Sequence, residues 1–145
     1  MKRILMAVSA FAILVTANVV PAHAGNKVII EQYGYDNGAA AHQKGKRNKA
    51  VFHQRGKLNQ AIAEQFGTRN EAVTGQVGRR NSAETYQYGR GNIAGTAQIG
   101  DDHQATTEQR GDSNVSGTIQ VGRGQQAETY QSGKGNMSVI IQGGH

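Results

Sequence analysis

The sequence predicts an all-β chain, a β-solenoid of five 22-residue strand-turn-strand coils forming two stacked parallel sheets with cross-β-like packing. Three observations predict it: an unbroken eleven-residue beat, a two-residue parity inside each beat, and an alternation between successive beats.

The beat is carried by glutamine. Gln32, Gln43, Gln54, Gln65, Gln76, Gln87, Gln98, Gln109, Gln120, Gln131 and Gln142 are spaced by eleven without insertion or deletion. Two residues after each comes a glycine: Gly34, Gly45, Gly56, Gly67, Gly78, Gly89, Gly100, Gly111, Gly122, Gly133 and Gly144. Five after the glutamine stands asparagine, with His103 and Gln125 as the exceptions; seven after stands Ala or Ser. Nine after, a threonine column runs through Thr74, Thr85, Thr96, Thr107, Thr118 and Thr129. Self-similarity at a fixed period marks a repeat architecture.

An eleven-residue period also suits a right-handed coiled coil. Glycine at the same place in every unit excludes that reading. Each one costs a helix roughly 1 kcal/mol relative to Ala, and no column of large apolar residues offsets the sum. A strand explains the positions instead. Side chains of a strand alternate faces, so the columns at five, seven, nine and eleven after each glutamine share one face. That face is small or amide and nearly uncharged. The other face varies freely, as in Lys49, Val51 and His53 or Ser82, Glu84 and Tyr86. One face is therefore inside and the other outside. The stretch one to four residues after each glutamine holds the glycine and most of the charge, which suits a tight, solvated arc. Each unit is expected to be about seven residues of strand and four of turn.

An interior of amides is satisfiable only in a stack. In register at roughly 4.8 Å, each amide donates to the copy above and accepts from the copy below. The glutamines, together with Asn48, Asn70, Asn92, Asn114 and Asn136, are the expected assembly ladder, and the glycines are the expected turn residues.

Successive units differ. The asparagine set just named is invariant, while the alternate set runs Asn37, Asn59, Asn81, His103 and Gln125. The segment Ala83-Glu84-Thr85-Tyr86-Gln87 returns as Ala127-Glu128-Thr129-Tyr130-Gln131, two double units later. The repeat is therefore 22 residues, over 37–58, 59–80, 81–102, 103–124 and 125–145, about 25 Å of stack at the usual strand spacing. Residues 25–36 read as a short leader with one extra half-unit strand, Asn26-x-Val28-x-Ile30-x-Gln32.

Composition agrees. The apolar fraction is 37%, there is no Trp and no Cys, and the only Pro is Pro21. Such a chain has no disulfides and little large apolar volume, so backbone pairing and side-chain stacking must hold it. Residues 1–24 read as a signal peptide: Lys2 and Arg3, an apolar run over residues 4–20, then Ala22-His23-Ala24 as the small-x-small cleavage pattern. A run of about 17 residues is at the lower limit for spanning a bilayer. Removal of Lys2 and Arg3 takes the net charge from +6 to +4.

The motif Asn37-x5-Gln43-x-Gly45-x-x-Asn48-x-Ala50-x3-Gln54 resembles the curlin repeat, Ser-x5-Gln-x-Gly-x-x-Asn-x-Ala-x3-Gln, of bacterial curli subunits. Asn, His or Gln stands here where that pattern has Ser. The resemblance implies a secreted subunit, major or minor, of an extracellular amyloid fibre at the bacterial cell surface, serving adhesion and biofilm matrix. It implies partners too: further copies of the chain, a related fibre subunit, and a curli-type outer-membrane secretion pore with accessory chaperones. No cofactor and no metal is expected.

The stack also reads as uncapped at both ends, which favours a filament. A monomeric ice- or surface-binding solenoid is the alternative, suggested by the threonine column; it would need those threonines outside, and their parity puts them inside. Calcium-binding β-rolls need Asp in Gly-rich turns, where Lys and Arg prevail here. Catalysis has no support: His42, His53 and His103 share no site, and Glu84 and Glu128 recur on a solvated face. The early basic residues Lys44, Lys46, Arg47, Lys49, Arg55 and Lys57 would stack into stripes able to adsorb extracellular DNA or anionic polysaccharide.

Overall fold

The computed structural model describes residues 25–144. The expected signal peptide, residues 1–24, lies outside the described residues, as does His145. The described chain is a β-solenoid of two parallel sheets. The first holds β1 (Lys27–Tyr35), β3 (Lys49–Lys57), β5 (Glu71–Arg79), β7 (Ile93–Asp101), β9 (Val115–Arg123) and β11 (Met137–Gly144). The second holds β2 (Gly38–Lys46), β4 (Gln60–Thr68), β6 (Ser82–Arg90), β8 (Gln104–Asp112) and β10 (Gln126–Lys134). Every pairing is offset by 22 residues, from Lys27 against Lys49 in the first sheet to Gln104 against Gln126 in the second. Glutamine therefore always meets glutamine, and glycine meets glycine.

The strands are longer than the sequence suggests, nine residues in most units with two-residue turns. The expected division into seven and four assumed that glycine ends the strand. Instead each glycine from Gly34 to Gly133 stays in the ladder at a φ of +106° to +130°, for example Gly78 at +125°. The arc then closes on the residue four after glutamine, which is left-handed in every unit from Asp36 to Gly135. Even these turn residues bond along the stack: Arg80 N–H donates to Lys57 O at 3.0 Å, and Lys49 N–H donates to Asn70 O at 2.8 Å. Bonding along the stack thus runs around the coil, with the corner peptide N–H groups completed by side chains, as Asn70 N–H donates to Asn48 Oδ1 at 3.0 Å.

Seven of those left-handed corners are not glycine, and Leu58, at φ +58° and 54% exposed, is the least suited of them. A left-handed L-residue costs roughly 1–2 kcal/mol, and Asn tolerates the region by bonding locally. Leu58→Asn should therefore raise the stability of the folded chain by about 1 kcal/mol, read as a higher guanidinium midpoint. No change would show that the leucine side chain contributes a contact that offsets its backbone.

The interior has two textures. Along most of the stack it is Ala, Thr and amide. At the β1–β5 end it becomes apolar: fully buried Phe52 packs with Ala41, Ala50, Ala61, Ala63 and Ala72, and Val28, Ile30 and Ala39 lean on them. Phe52 occupies the column that holds threonine further along, and alanines opposite, Ala41 and Ala63, make room for its ring.

Candidate functional site

The feature that distinguishes this molecule is its pair of glutamine ladders. In the first sheet, Gln32 donates through Nε2 to Gln54 Oε1, and the relay continues through Gln76, Gln98 and Gln120 to Gln142 at 2.6–3.0 Å. In the second, Gln43, Gln65, Gln87, Gln109 and Gln131 repeat it at 2.6–2.9 Å. The second Nε2 proton is used as well. Gln76 donates it to Gln60 O at 2.8 Å and Gln87 to Glu71 O at 2.9 Å, so each amide also ties its strand to the start of the preceding strand in the facing sheet. Every interior rung from Gln54 to Gln120 is buried with both protons placed. Buried amides with full bonding stabilise and specify, and aligned dipoles reinforce one another.

The asparagines work differently from the expected amide-on-amide ladder. Asn48 Oδ1 accepts the backbone N–H of Asn70 at 3.0 Å, and Asn48 Nδ2 donates to Gly67 O at 3.1 Å. From the arc the side chain turns to the main chain of the next coil. Direct Nδ2-to-Oδ1 bonds occur at a few rungs, such as Asn114 to Asn92 at 3.1 Å. Asn48, Asn70, Asn92 and Asn114 are thus corner staples, Asn26, Asn37, Asn59 and Asn81 staple in the same way, and Asn136 in the last coil donates back to Asn114 Oδ1 at 3.0 Å. Reading the alternate set as looser missed this; the column position, common to both sets, was the available signal.

His103 and Gln125 occupy the same corner. His103 is buried in it. Its Nδ1 lies 3.3 Å from the backbone N of Gln125 and its Nε2 lies 3.2 Å from Ile99 O. A backbone N–H can only donate and a carbonyl can only accept, so the ring sits here as the neutral tautomer protonated on Nε2. It copies the asparagine acceptor with a larger group. Gln125 does not complete the copy, because its buried Oε1 has no partner among the described residues.

The glycines are positioned by the same corners. A Cβ on Gly78 would fall inside the carbonyl of Gly100 one coil on, and Gly100 stands in the same relation to Gly122. The column is therefore fixed by close approach of stacked backbones as much as by φ. The threonine column is interior throughout, from Thr74 to Thr129. Buried threonines present no outward array, which removes the observation behind a surface-binding monomer.

Outside, ion pairs follow the stack. Lys49 meets Glu71 at 2.6 Å, Arg79 meets Asp101 at 2.7 Å, and Arg80 meets Asp102 at 2.6 Å, each one coil apart. Hydrogen bonding to Arg79 and Arg80 holds the Asp101 and Asp102 carboxyls below their ordinary value near 3.8. A carboxylate with a depressed folded pKa stabilises above its unfolded value, and that contribution is lost as acid protonates it in the fold. Stability should fall on acidification through pH 4, and Asp101→Asn/Asp102→Asn should flatten part of that fall. An unchanged acid slope in the double variant would remove these pairs from the account.

The geometry meets a known pattern in the middle of the stack. The stretch from Gly78 through Asn81, Ala83, Gln87, Gly89, Asn92, Ala94 and Gln98 supplies one full coil, and residues 78–106 match the family model of the curlin associated repeat. This stretch is a curlin repeat. No curated protein and no solved structure matches the chain. The curlin repeat spans β6 and β7, and its amides, staples and close glycines recur in the coils on either side at the same 22-residue step. Curlin repeat and solenoid together point to a structural protein.

Proposed function

We propose that this chain is the subunit of an extracellular, curli-like amyloid fibre that assembles head to tail, for cell adhesion and biofilm matrix. One observation carries the reading: the ladder has a direction. Every ladder glutamine from Gln32 to Gln120 donates to its copy on the side of β10 and β11, and none donates the other way. Among the described residues, β1 and β11 are the edges of one sheet, and β2 and β10 the edges of the other. One end of the stack therefore offers amide carbonyls, and the other offers amide protons. Unlike, complementary ends make an open heterologous contact, which propagates as a filament.

In this reading residues 1–24 direct export and are removed, residues 25–36 form the leader, and the five repeats over 37–145 form the fibre body. The glutamines serve as assembly ladder and the asparagines as corner staples beside it. Partners are further copies, a related subunit, and the curli-type pore with its chaperones. The basic residues Lys44, Lys46, Arg47, Arg55 and Lys57 are exposed around β2 and β3, and adsorption of extracellular DNA or anionic polysaccharide belongs there.

The test is polymerisation of purified residues 25–145. β-rich filaments should form after a lag that pre-formed fragments shorten, and capping one edge by a proline in β11 should stop elongation from that end only. A chain that stays unassembled at tens of micromolar for days would sink the proposal.

A further inference from the structure

The two outer faces differ in a way the ladders do not require. On the second sheet the outward rows are mixed, with Glu84, Glu108, Glu128, Tyr86, Tyr130 and Arg110 among them. On the first sheet, from β5 to β11, the three central outward rows hold no polar side chain: Val73, Gly75 and Val77, then Gly95, Ala97 and Ile99, then Gly117, Ile119 and Val121, then Val139, Ile141 and Gly143. Val73, Val77, Ile99, Ile119 and Val121 are 37–50% exposed, and Ile141 is 72% exposed. Charge is confined to the margins, where Arg79, Asp101 and Arg123 run along one rim.

Two glycines make the face more than a flat greasy surface. One outward row reads Ile29, Val51, Val73, Gly95, Gly117, Val139. It is β-branched everywhere except at the two glycines. Neither has positive φ, nothing lies within 4 Å of a Cβ built on Gly95, and Gly117 would meet only Val139 Cγ2 at 4.0 Å. Nothing inside the chain demands glycine there, and glycine weakens a strand. What the two do is open a furrow of about 340 Å³, floored by them and flanked by Val73, Ala97 and Ile119. Glycine outward on a central strand marks a place where another backbone approaches closely.

We propose that this face pairs with the same face of a second copy, so that filaments join laterally in twos, apolar sheet against apolar sheet. The patch is self-complementary: it carries both the furrow at Gly95 and Gly117 and the ridge of Ile99, Ile119 and Val121 that fills one. Its rim carries both signs, so two copies related by a two-fold axis place Arg79 or Arg123 near Asp101 of the other. Two sheets meeting in this way make a dry interdigitated seam. Four strands at the usual spacings cover about 500 Å² per copy. That is below the roughly 800 Å² per partner of a stable single interface. One pair of chains is too small to hold, and a row of them along a filament is not, because every added subunit binds at high effective concentration. The pairing therefore rests on the fibre reading above.

The experiment completes the row with valine. Gly95→Val/Gly117→Val continues the column already present at 51, 73 and 139, so the coil accepts it, while the furrow is filled. Wild-type and variant chains are polymerised side by side with Thr106→Val, which makes a similar change on the opposite face, and are imaged by electron microscopy. Wild-type and Thr106→Val filaments should be paired, and the double variant should keep its lag and seeding but show at least about tenfold less paired length, the ratio that ~1.4 kcal/mol per subunit produces. Single filaments from the wild type, or undiminished pairing in the double variant, would overturn the proposal. Absence of filaments from all three chains would overturn the fibre reading and this pairing with it.

Discussion

Gln76→Leu should lower the stability of the folded chain by about 3–6 kcal/mol, although leucine nearly matches glutamine in volume. The loss comes from the groups left behind. Gln54 Nε2 loses its acceptor at 2.8 Å, Gln98 Oε1 loses its donor at 2.8 Å, and Gln60 O loses the proton that Gln76 supplies. Gln54 and Gln98 sit where water does not reach, each such unsatisfied group costs about 1–3 kcal/mol, and the part-buried Gln60 O adds a smaller loss. The same change at Gln142 meets a different situation. Its side chain is partly exposed and its donation to Gln126 O is at the surface, so water can replace that bond; only Gln120 Nε2 loses a partner, and the cost should stay at about 1–2 kcal/mol. Guanidinium midpoints of the two variants decide the matter. Equal midpoints would show that the ladder contributes packing and not bonding.

Gly78→Ala is the other large effect. A methyl group there points into the carbonyl of Gly100, at a φ of +125° that alanine resists. The two backbones must separate, which weakens the β5–β7 pairing and pulls Gly78 O from Asn59 Nδ2, now at 3.0 Å. Strained backbone and a broken buried bond together should cost about 4 kcal/mol or more, enough to prevent folding of many small domains. Gly95→Ala provides the contrast. Its Cβ meets nothing and its φ is ordinary, so the expected outcome is a gain of about 0.5 kcal/mol from reduced backbone entropy. If both alanines behaved alike, close stacking of the glycine column would not be what holds it.

Why did a sequence of such low apolar content disclose so much? Parity suffices for the inside and outside of every strand, because a face made of Asn, Ala, Thr and Gln cannot be confused with one made of Lys, Glu and Tyr. The 22-residue step followed from comparing alternate units. Three things stayed hidden for physical reasons. The strand length was misjudged because glycine signals a turn, while here it bends the ladder without leaving it. The left-handed corner was hard to see because Arg, Ser and Leu occupy half of its positions, which the glycines and aspartates of the others do not outweigh. The asparagine staples were mistaken for rungs because identity at a fixed period says that copies stack, not which atoms they use. Phe52 shows the same limit from another side: a lone aromatic in the threonine column reveals a shared pocket only when the alanines across the core are known.

The substitution of His103 and Gln125 at one corner has a consequence for how the coils of the chain find their register. Beyond the apolar end around Phe52, one coil is nearly interchangeable with the next along the interior columns, so a coil paired one step out of register meets little mismatch there. Interior chemistry is thus a ruler without numerals. His103, whose bulk crowds Gly100, and Gln125, with an idle carbonyl, are places where the ruler is marked. Together with the variable outer rows they distinguish a true alignment from one displaced by a whole step, and they let a molecule built from near-identical layers count them.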